Sequence, residues 1–278
     1  MATKPHQERV AIGKSSTQAE VAVIGGSGFY SLSAGAREIH VETPYGPPSD
    51  SIRLSEIGGR QVAFLARHGR NHEFPAHRIP HRANLWALAS LGVRRVLAPC
   101  AVGSLRDEVA PGDFVLCDQF VDRTSGRADT FFDGPEVVHI STAEPYCAEL
   151  RATAWEAMQT EQLQGQQQGT VVVVQGPRFG TRAESRWFAS CGWDVVNMTQ
   201  YPEVALAREL GMCYLNISLV TDRDARREDG GPAAEASDVL AVLAANVDRV
   251  RGLIAALVPR ISTDAACECA SGLHKARV

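Results

Sequence analysis

The sequence predicts a single α/β domain with a central β-sheet flanked by helices, because short buried strands alternate with amphipathic helices along almost the whole chain. Of its 278 residues, 45% are hydrophobic and 22% are charged, which is the balance of a globular protein with enough apolar material for a large core. No linker divides the alternating region. We therefore expect one domain at residues 21–261, preceded by a mobile polar tail at residues 1–20 and followed by a polar tail at residues 262–278.

The strands are predicted where apolar, β-rich runs are bounded by Gly, Pro or Asp. These runs are residues 21–24, 62–66, 95–99, 114–118, 170–174, 194–197 and 213–220.

The helices are predicted from apolar periodicity and from residues typical of helix ends. Pro202 opens one segment and Gly211 follows it, which is the asymmetry expected of a helix. The last helix carries one broad apolar stripe. The predicted helices are residues 82–91, 145–164, 183–191, 202–210 and 237–257.

Charge and composition exclude several classes of function. The 28 Lys and Arg residues and the 32 Asp and Glu residues give a net charge of -4, and the basic residues are dispersed, so no nucleic-acid partner is expected. A small anion needs only one or two cations, so a phosphate ligand remains compatible. No apolar run approaches the roughly 20 residues of a membrane span, and the first residues lack the apolar stretch of a signal peptide.

The seven cysteines are an odd number and mostly lie singly in apolar runs, at Cys100, Cys117, Cys191 and Cys213. This pattern predicts reduced, buried thiols and a cytoplasmic protein. Only Cys267 and Cys269 are close in sequence. With the distant His274 they fall short of a zinc site, so we expect an exposed reduced pair and no metal.

Two segments near the amino end could bind an anion. Gly25-Gly26-Ser27-Gly28 follows the first predicted strand, where backbone N–H groups can approach a phosphate, although a tight turn explains the glycines equally well. The segment matches neither the dinucleotide nor the P-loop pattern. Arg67-His68-Gly69-Arg70 ends the next predicted strand and suits an oxyanion, with a solvated basic loop as the alternative. The histidines that follow it fit no metal-ligand spacing.

Residues 176–184, GPRFGTRAE, form a third candidate segment. Phe179 could stack on a planar ligand, with Thr181 as a polar contact. For Arg178, Arg182 and Glu184 we favour a structural ion-pair network.

Asp222 and Asp224 form the fourth candidate site, just beyond the buried run 213–220. Alternate positions point the same way if strand geometry continues. In a closed pocket the two carboxyl groups would have separated pKa values, which suits a general acid beside a hydrogen-bond acceptor. An acidic surface loop is the alternative.

Taken in order, these segments resemble the trimeric class of purine nucleoside phosphorylases, and within it the 5'-methylthioadenosine phosphorylases. The resemblance covers residues 21–257 and rests on the strings VIGGSGFY, TPYGPPSD, ARHGR, RANLWAL, CAVGSLRDE, PGDFVLCDQFVDRT, QGPRFGTRAES, VVNMTQYPEVALARELG and TDRD. It implies the mixed-sheet fold of that family, a homotrimer, no cofactor, and cleavage of the N-glycosidic bond of 5'-methylthioadenosine with inorganic phosphate as co-substrate.

The resemblance also implies roles for individual residues. The phosphate would contact Ser27, Arg67, His68, the backbone of Ala101, and Thr199. The purine and ribose would contact Phe179, Thr181, Val196 and Met198, with Asp222 and Asp224 as catalytic groups at the adenine edge. The 5' group would lie against Val239, Leu240 and His139 of a neighbouring subunit.

Two positions imply a preference for adenine over 6-oxopurines. Relatives specific for 6-oxopurines have Asn where this chain has Asp222 and Glu where it has Gly180. The chain departs from adenine-type relatives at Gly180, where Ser is common, and at Pro99 and Cys100, where Thr is common near the phosphate. The loop at residues 226–236 is expected to act as a mobile cover of the 5' pocket.

Alternatives stay open at this point. The same fold could take 5'-deoxyadenosine or a 5'-halogenated adenosine, since an apolar pocket separates small apolar groups by only about 1–3 kcal/mol, or it could take 6-oxopurine nucleosides. A water-using nucleosidase and a nucleoside-binding protein without activity are further alternatives, but neither needs cationic groups around an anion.

Overall fold

The central strand of the protein is β5, Arg95–Ser104, which is buried at almost every residue. The structure, a computed structural model, describes residues 18–26, 36–224, 235–264 and 267–277. A run that is apolar on both faces is typical of a strand covered by helices on both sides. Strand β11, Cys213–Arg223, lies parallel to β5 along its whole length, from Cys213 opposite Arg95 to Arg223 opposite Ser104.

Two short strands share the other edge of β5. Strand β1, Val21–Gly25, runs parallel to its first part and ends its pairing at Leu97. Strand β10, Val195–Asn197, runs antiparallel to its last part and begins its pairing at Ser104 and Gly103. The carboxyl ends of β1 and β10 therefore point toward each other, and residues 98–102 of β5 have no strand partner on this edge.

The other strands extend the sheet on both sides of this arrangement. Beyond β1 the order is β4, β3 and β2, and beyond β10 it is β9 and then β7, while β6 pairs with β11 and β8 pairs with β6. Parallel and antiparallel pairs both occur, so the expected mixed sheet is confirmed. The bounds are β2 Arg37–Ile39, β3 Ile52–Ile57, β4 Arg60–Ala66, β6 Phe114–Val115, β7 Gln119–Arg123, β8 Gly165–Gln166 and β9 Thr170–Val174.

Helices cover both faces of the sheet. Alternate residues of β1 belong to opposite cores: Ile24 packs with the helices α1 and α4, and Val23 packs with α2 and α5. No helix among the described residues is long and apolar enough to cross a membrane. The bounds are α1 His81–Ser90, α2 Ala148–Thr160, α3 Arg182–Ser190, α4 Gln200–Glu209, α5 Ala236–Leu257 and α6 Gly272–Ala276.

Every predicted helix and strand is present. The structure differs from the prediction in where some of these elements begin and end, and in several short elements that were not predicted. The segment predicted as a strand at residues 114–118 is extended in the sheet only at Phe114–Val115, and the helix predicted at 145–164 is confined to Ala148–Thr160. The sequence did not predict β2, β3, β7 or β8, because their side chains are partly exposed and form no continuous apolar run. It also did not predict α6, which lies in the segment expected to be a polar tail.

The cysteine expectations need two corrections. Cys191 is exposed rather than buried, because it follows the last turn of α3. In the pair that was expected to be exposed, Cys269 is buried and Cys267 is partly buried.

The segment after residue 262 packs against the domain: the backbone N–H of His139 donates to the carbonyl of Ala276, and Val138 forms a β-bridge with Arg277. At the other end, Gln18 N–H donates to Leu91 O, while residues 1–17 lie outside the described part of the chain.

Candidate active site

A cavity of about 210 Å³ lies at the unpaired stretch of β5. The carboxyl ends of β1, β4, β10 and β11 meet there, the usual position of a ligand site in an α/β sheet. Residues from all four segments singled out in the sequence line it or border it. The predicted site residues in its lining are Arg67, His68, Ala101, Phe179, Val196, Met198, Thr199, Asp222, Asp224, Val239 and Leu240.

Three predicted site residues are not in this lining. Ser27 lies outside the described residues, as does most of the expected cover loop at 226–236. Thr181 occupies the N-cap of α3, where its hydroxyl accepts a hydrogen bond from Glu184 N–H and Glu184 caps it in return. His139 is exposed on the connection between β7 and α2.

Arg67 is fully buried at the end of β4 and forms a salt bridge with Glu203 of α4 through two hydrogen bonds. Its Nε donates to Glu203 Oε2 at 2.9 Å and its Nη2 donates to Oε1 at 2.8 Å. The carbonyls of Pro99 and Ile24 take two more of its hydrogens. Since a guanidinium has five N–H bonds, a single Nη1 hydrogen remains for a ligand.

Glu203 keeps this arrangement ionised. Burial would raise its pKa, but the charge and hydrogen bonds of Arg67 outweigh burial and lower the pKa to about 2. Tyr214 also donates to Glu203 Oε1, at 2.7 Å. The cation and the anion therefore compensate each other inside the protein.

His68 follows Arg67 in a turn. Within this turn, the backbone carbonyl of Phe74 lies 2.9 Å from His68 Nδ1. A carbonyl can only accept, so Nδ1 carries the hydrogen and Nε2 is the nitrogen left for other contacts. Burial, together with the nearby Arg67 charge, lowers the pKa of His68 to about 4. The imidazole is consequently neutral at pH 7.

Asn197 at the end of β10 organises the unpaired edge of β5. Its Nδ2 donates to Ala101 O at 2.9 Å, while its Oδ1 accepts from the backbone N–H groups of Thr199 and Gln200 at 2.6 and 2.9 Å. In an extended strand the N–H and C=O of one residue face the same edge, so the Ala101 N–H faces the gap. The backbone of Tyr201 is extended, so the continuous helical part of α4 begins only after it, and this edge offers an anion individual N–H groups instead of a helix N-terminus.

Asp222 lies after a β-bulge that shifts the pairing of β11 between Val220 and Asp222. Burial and, to a smaller extent, the Asp224 charge raise its pKa to about 6, against the opposing effect of the Thr221 hydroxyl, which donates to its Oδ1 at 2.8 Å. A carboxyl group with such a pKa is close to the protonation equilibrium required of a general acid near neutral pH.

Asp224 is buried beside Asp222 and is fixed from two sides. Ser185 Oγ donates to its Oδ2 at 2.5 Å, and its backbone N–H donates to Ser104 O at 3.0 Å. Gly103 makes this close approach of strands possible, because a Cβ there would lie 3.1 Å from Asp222 Oδ2 and 3.1 Å from Val196 Cγ1. A Cβ at Gly180 would lie 3.8 Å from Asp224 Oδ2, in ordinary contact.

The far side of the cavity is apolar. Phe179 is 43% exposed and Leu240 is 51% exposed, which is unusual for large apolar side chains beside a concave site. Val239 and Leu243 complete this wall on the first turns of α5. The apolar stripe predicted for this helix is buried only from Leu243 onward, and its first turns face the cavity instead.

The expected ion pair at the start of α3 is present. Arg178 donates two hydrogen bonds to Glu184, at 2.8 and 2.7 Å. These bonds, with the Thr181 backbone bond, lower the pKa of Glu184 to about 2. This network shapes the loop that carries Phe179 and Gly180.

Comparison with known proteins agrees with this site. The profile of a family described as the phosphorylase superfamily matches residues 20–259. The chain belongs to the phosphorylase superfamily.

The relatives within the superfamily carry two kinds of name. A purine nucleoside phosphorylase of Streptomyces coelicolor is 53% identical over 92% of this chain and 94% of its own. An S-methyl-5'-thioadenosine phosphorylase of Mycolicibacterium smegmatis is 53% identical over 88% of this chain and 92% of its own. The solved methylthioadenosine phosphorylase of Schistosoma mansoni in complex with adenine superposes with a TM-score of 0.88 at 33% identity, covering 93% of this chain and 99% of that one.

Sequence reasoning missed two residues that hold this phosphorylase site together. Glu203 lies in an apolar helical segment, and a lone carboxylate among apolar residues was the available signal that a buried cation pairs with it. Asn197 gave no such signal, because it ends a short strand and its partners are backbone groups that only the fold brings together.

Proposed function

We propose that the chain cleaves the N-glycosidic bond of 5'-methylthioadenosine with inorganic phosphate, giving adenine and 5-methylthioribose 1-phosphate. The observation that carries this proposal is the division of one cavity into an anion-binding end at Arg67, His68 and Thr199 and a carboxyl end at Asp222 and Asp224. A nucleoside placed between them has its sugar next to the phosphate and its base next to the carboxyl groups. Two relatives named S-methyl-5'-thioadenosine phosphorylase, at 53% and 46% identity, support the same activity.

The phosphate end offers hydrogen bonds more than net charge. The remaining Nη1 hydrogen of Arg67 and the Ala101 N–H are the donors, and Ser27 is a further one by family resemblance. The Thr199 hydroxyl donates to Asn197 Oδ1 at 3.2 Å in this structure and would have to rotate to donate to phosphate. Neutral His68 can accept a hydrogen bond at Nε2 from the O–H of monohydrogen phosphate. The bound phosphate then presents an oxygen to the ribose C1' carbon.

Bond cleavage places positive charge on the ribose and negative charge on the base. The phosphate stabilises the first, and a proton from Asp222 to N7 of the purine stabilises the second. The C1'–N9 bond breaks, a C1'–O bond to phosphate forms, and the proton lost by Asp222 is balanced by the proton of monohydrogen phosphate. Only nucleoside and phosphate are consumed.

Adenine selectivity follows from the two carboxyl groups. Asp224, ionised, accepts from the 6-amino group, whereas it would face a 6-carbonyl acceptor to acceptor and leave buried polar atoms unpaired. Phe179 and Val196 contact the base in this arrangement, Met198 contacts the ribose, and Val239 and Leu240 contact the methylthio group. Thr181, whose hydroxyl accepts a hydrogen bond at the N-cap of α3, stays a predicted polar contact of the base.

We infer a homotrimer in which His139 reaches the 5' group of a neighbouring subunit. The exposure of His139 and of the cavity residues Phe179 and Leu240 supports this inference. In light-scattering measurements the protein should have three times the mass of one chain, and His139→Ala should raise KM for 5'-methylthioadenosine without changing KM for phosphate. A monomer with full activity would contradict the inference.

The free thiols support a cytoplasmic setting.

A purine nucleoside phosphorylase acting on 6-oxopurines is the second candidate. The name of the Streptomyces coelicolor relative favours it. The deciding experiment measures base release from 5'-methylthioadenosine, 5'-deoxyadenosine and inosine, each with and without phosphate. We expect phosphate-dependent adenine release with the methylthio substrate preferred. Phosphate-independent release, or preference for inosine, would contradict the proposal.

A further inference from the structure

Four cysteines from three separate segments converge at the end of the sheet where β11 begins. Their Sγ atoms, from Cys147, Cys213, Cys267 and Cys269, all lie within 4.8 Å of one another. The closest contact that the structure gives is 3.3 Å, between Cys213 and Cys267. All four are free thiols, and none of them lines the cavity of the candidate active site.

The spacing of the four sulfur atoms fits one tetrahedral metal ion. Zinc–thiolate bonds are about 2.3 Å long, so the sulfurs of a tetrahedral site lie about 3.8 Å apart. A cage this small surrounds a single ion and has no room for a cluster of several irons. Thiolate ligands and tetrahedral geometry favour zinc among the common biological metals.

The backbone around the cluster is held by hydrogen bonds and close packing. Cys147 lies at the N-cap of α2, and its N–H donates to Tyr214 O at 3.0 Å, which places it beside Cys213. The turn that carries Cys269 packs on Gly211: a Cβ there would be 3.4 Å from Ala270 Cα. The ligands are thus positioned by three independent parts of the fold.

The surroundings of the cluster are apolar with one cation. Cys147, Cys213 and Cys269 are 2%, 6% and 4% exposed and belong to the core that α2 and α5 form with the sheet. Arg208 Nη1 donates to Cys269 Sγ at 3.4 Å. A zinc ion with four thiolates carries a net charge of about -2, and a cation hydrogen-bonded to a ligand sulfur is the outer-shell partner that such a site needs.

We propose that Cys147, Cys213, Cys267 and Cys269 bind one structural zinc ion that fastens the carboxyl-terminal segment to β11 and α2. Four protein ligands leave no open position, so the ion is structural and takes no part in phosphorolysis. When zinc binds, each thiol that is still protonated loses its proton to solvent, and no electrons are transferred. The site stands independently of the function proposed above.

The first test measures zinc in the full-length, untagged protein, purified under reducing conditions without chelators. Elemental analysis should find about one zinc ion per chain. Cys269→Ser should reduce the zinc content about tenfold or more. The matched control is Cys191→Ser, because Cys191 is exposed and outside the cluster, and it should retain the zinc of the wild type.

A second measurement covers the case in which Cys269→Ser does not fold. Cobalt(II) replacing zinc in the wild-type protein should produce a thiolate-to-cobalt charge-transfer band and the intense d–d bands of a tetrahedral sulfur site. A strong chelator added to the wild-type protein should lower the midpoint temperature of its thermal unfolding.

Three results would overturn the proposal: no zinc and no cobalt band with all seven cysteines titrating as free thiols, iron in place of zinc, or an intact mass showing disulfides among the four cysteines.

Discussion

Asp222 has a setting that departs strongly from that of the same side chain in water. Its carboxyl group is mostly buried next to Asp224, and the raised pKa of about 6 means that the folded protein binds its proton more tightly than the unfolded chain does. The same burial that makes the group a proton donor therefore disfavours its ionised form. Function and stability are coupled at this one side chain.

Replacing Asp222 by Asn tests its role as proton donor. The amide cannot give a proton to N7, so kcat for 5'-methylthioadenosine should fall by about 10²–10⁴, the usual contribution of a general acid. An amide can donate to a 6-carbonyl, so the ratio of inosine to adenine-nucleoside activity should rise. Steady-state kinetics on both substrates checks this, and an unchanged rate and selectivity would show that Asp222 is not the donor.

The same variant should be more stable than the wild type at alkaline pH. The pKa of Asp222 is higher in the folded protein, about 6, than in the unfolded chain, 3.8. The protonated side chain therefore contributes its full stability below pH 3.8, and this contribution is lost as the pH rises through about 6. Above pH 7, Asp222→Asn should thus gain at most about 3 kcal/mol of unfolding free energy, from about two pKa units. Denaturant unfolding at pH 8 and pH 4 measures the gain, which should be absent at pH 4; equal effects at both pH values would contradict the argument.

At the scale of elements, the decisive feature is the unpaired stretch of β5 between the ends of β1 and β10. Asn197 substitutes for the missing strand by bonding to Ala101 O and to the N–H groups of Thr199 and Gln200. One side chain thereby aligns a strand edge with the segment that leads into α4. This alignment creates the place where a phosphate can receive backbone hydrogen bonds.

Asn197→Ala should loosen the backbone at Thr199 and Gln200 and weaken phosphate binding. We expect KM for phosphate to rise about tenfold, corresponding to roughly 1.4 kcal/mol for the lost alignment, with a smaller change in KM for the nucleoside. The matched control is Asn246→Ala in α5, since the hydrogen bonds of Asn246 among the described residues are to Val242 and Arg249 of the same helix. Equal changes in both Michaelis constants would show a general loss of structure instead.

The sequence predicted these elements well where burial was complete and less well elsewhere. Strands such as β9 and β10 appear as uninterrupted apolar runs, whereas β3 alternates buried and exposed residues and gave no run to detect. The bulge that lets β11 continue through Asp222 depends on pairing with β5, which local sequence does not encode. The strand geometry expected for the Asp222–Asp224 pair extends through Arg223.

At the scale of the whole molecule, residues brought together by the fold explain what sequence reasoning missed. The motif Arg67-His68 predicted an anion site, and the cavity contains both residues. The partner of Arg67 is 136 positions away in the chain, so no spacing rule reveals it. The four cysteines escaped detection for the same reason, since only Cys267 and Cys269 are neighbours in sequence.

The Arg67–Glu203 pair has a consequence for how phosphate is attracted. The guanidinium is compensated by a buried carboxylate, His68 is neutral, and the chain as a whole carries a charge of -4. Long-range attraction of a dianion, which added salt would screen, is therefore weak. KM for phosphate should change by less than about twofold between about 0.05 and 0.5 M potassium chloride.

Glu203→Gln supplies the contrast for this measurement. It leaves the buried guanidinium uncompensated, so phosphate should bind more tightly at low salt and KM should rise steeply as ionic strength increases. A steep salt dependence in the wild type would contradict the compensation. Because Glu203 compensates the charge of Arg67, the wild-type protein recognises phosphate through short, directional hydrogen bonds. Its binding of phosphate therefore depends little on the ionic composition of its surroundings.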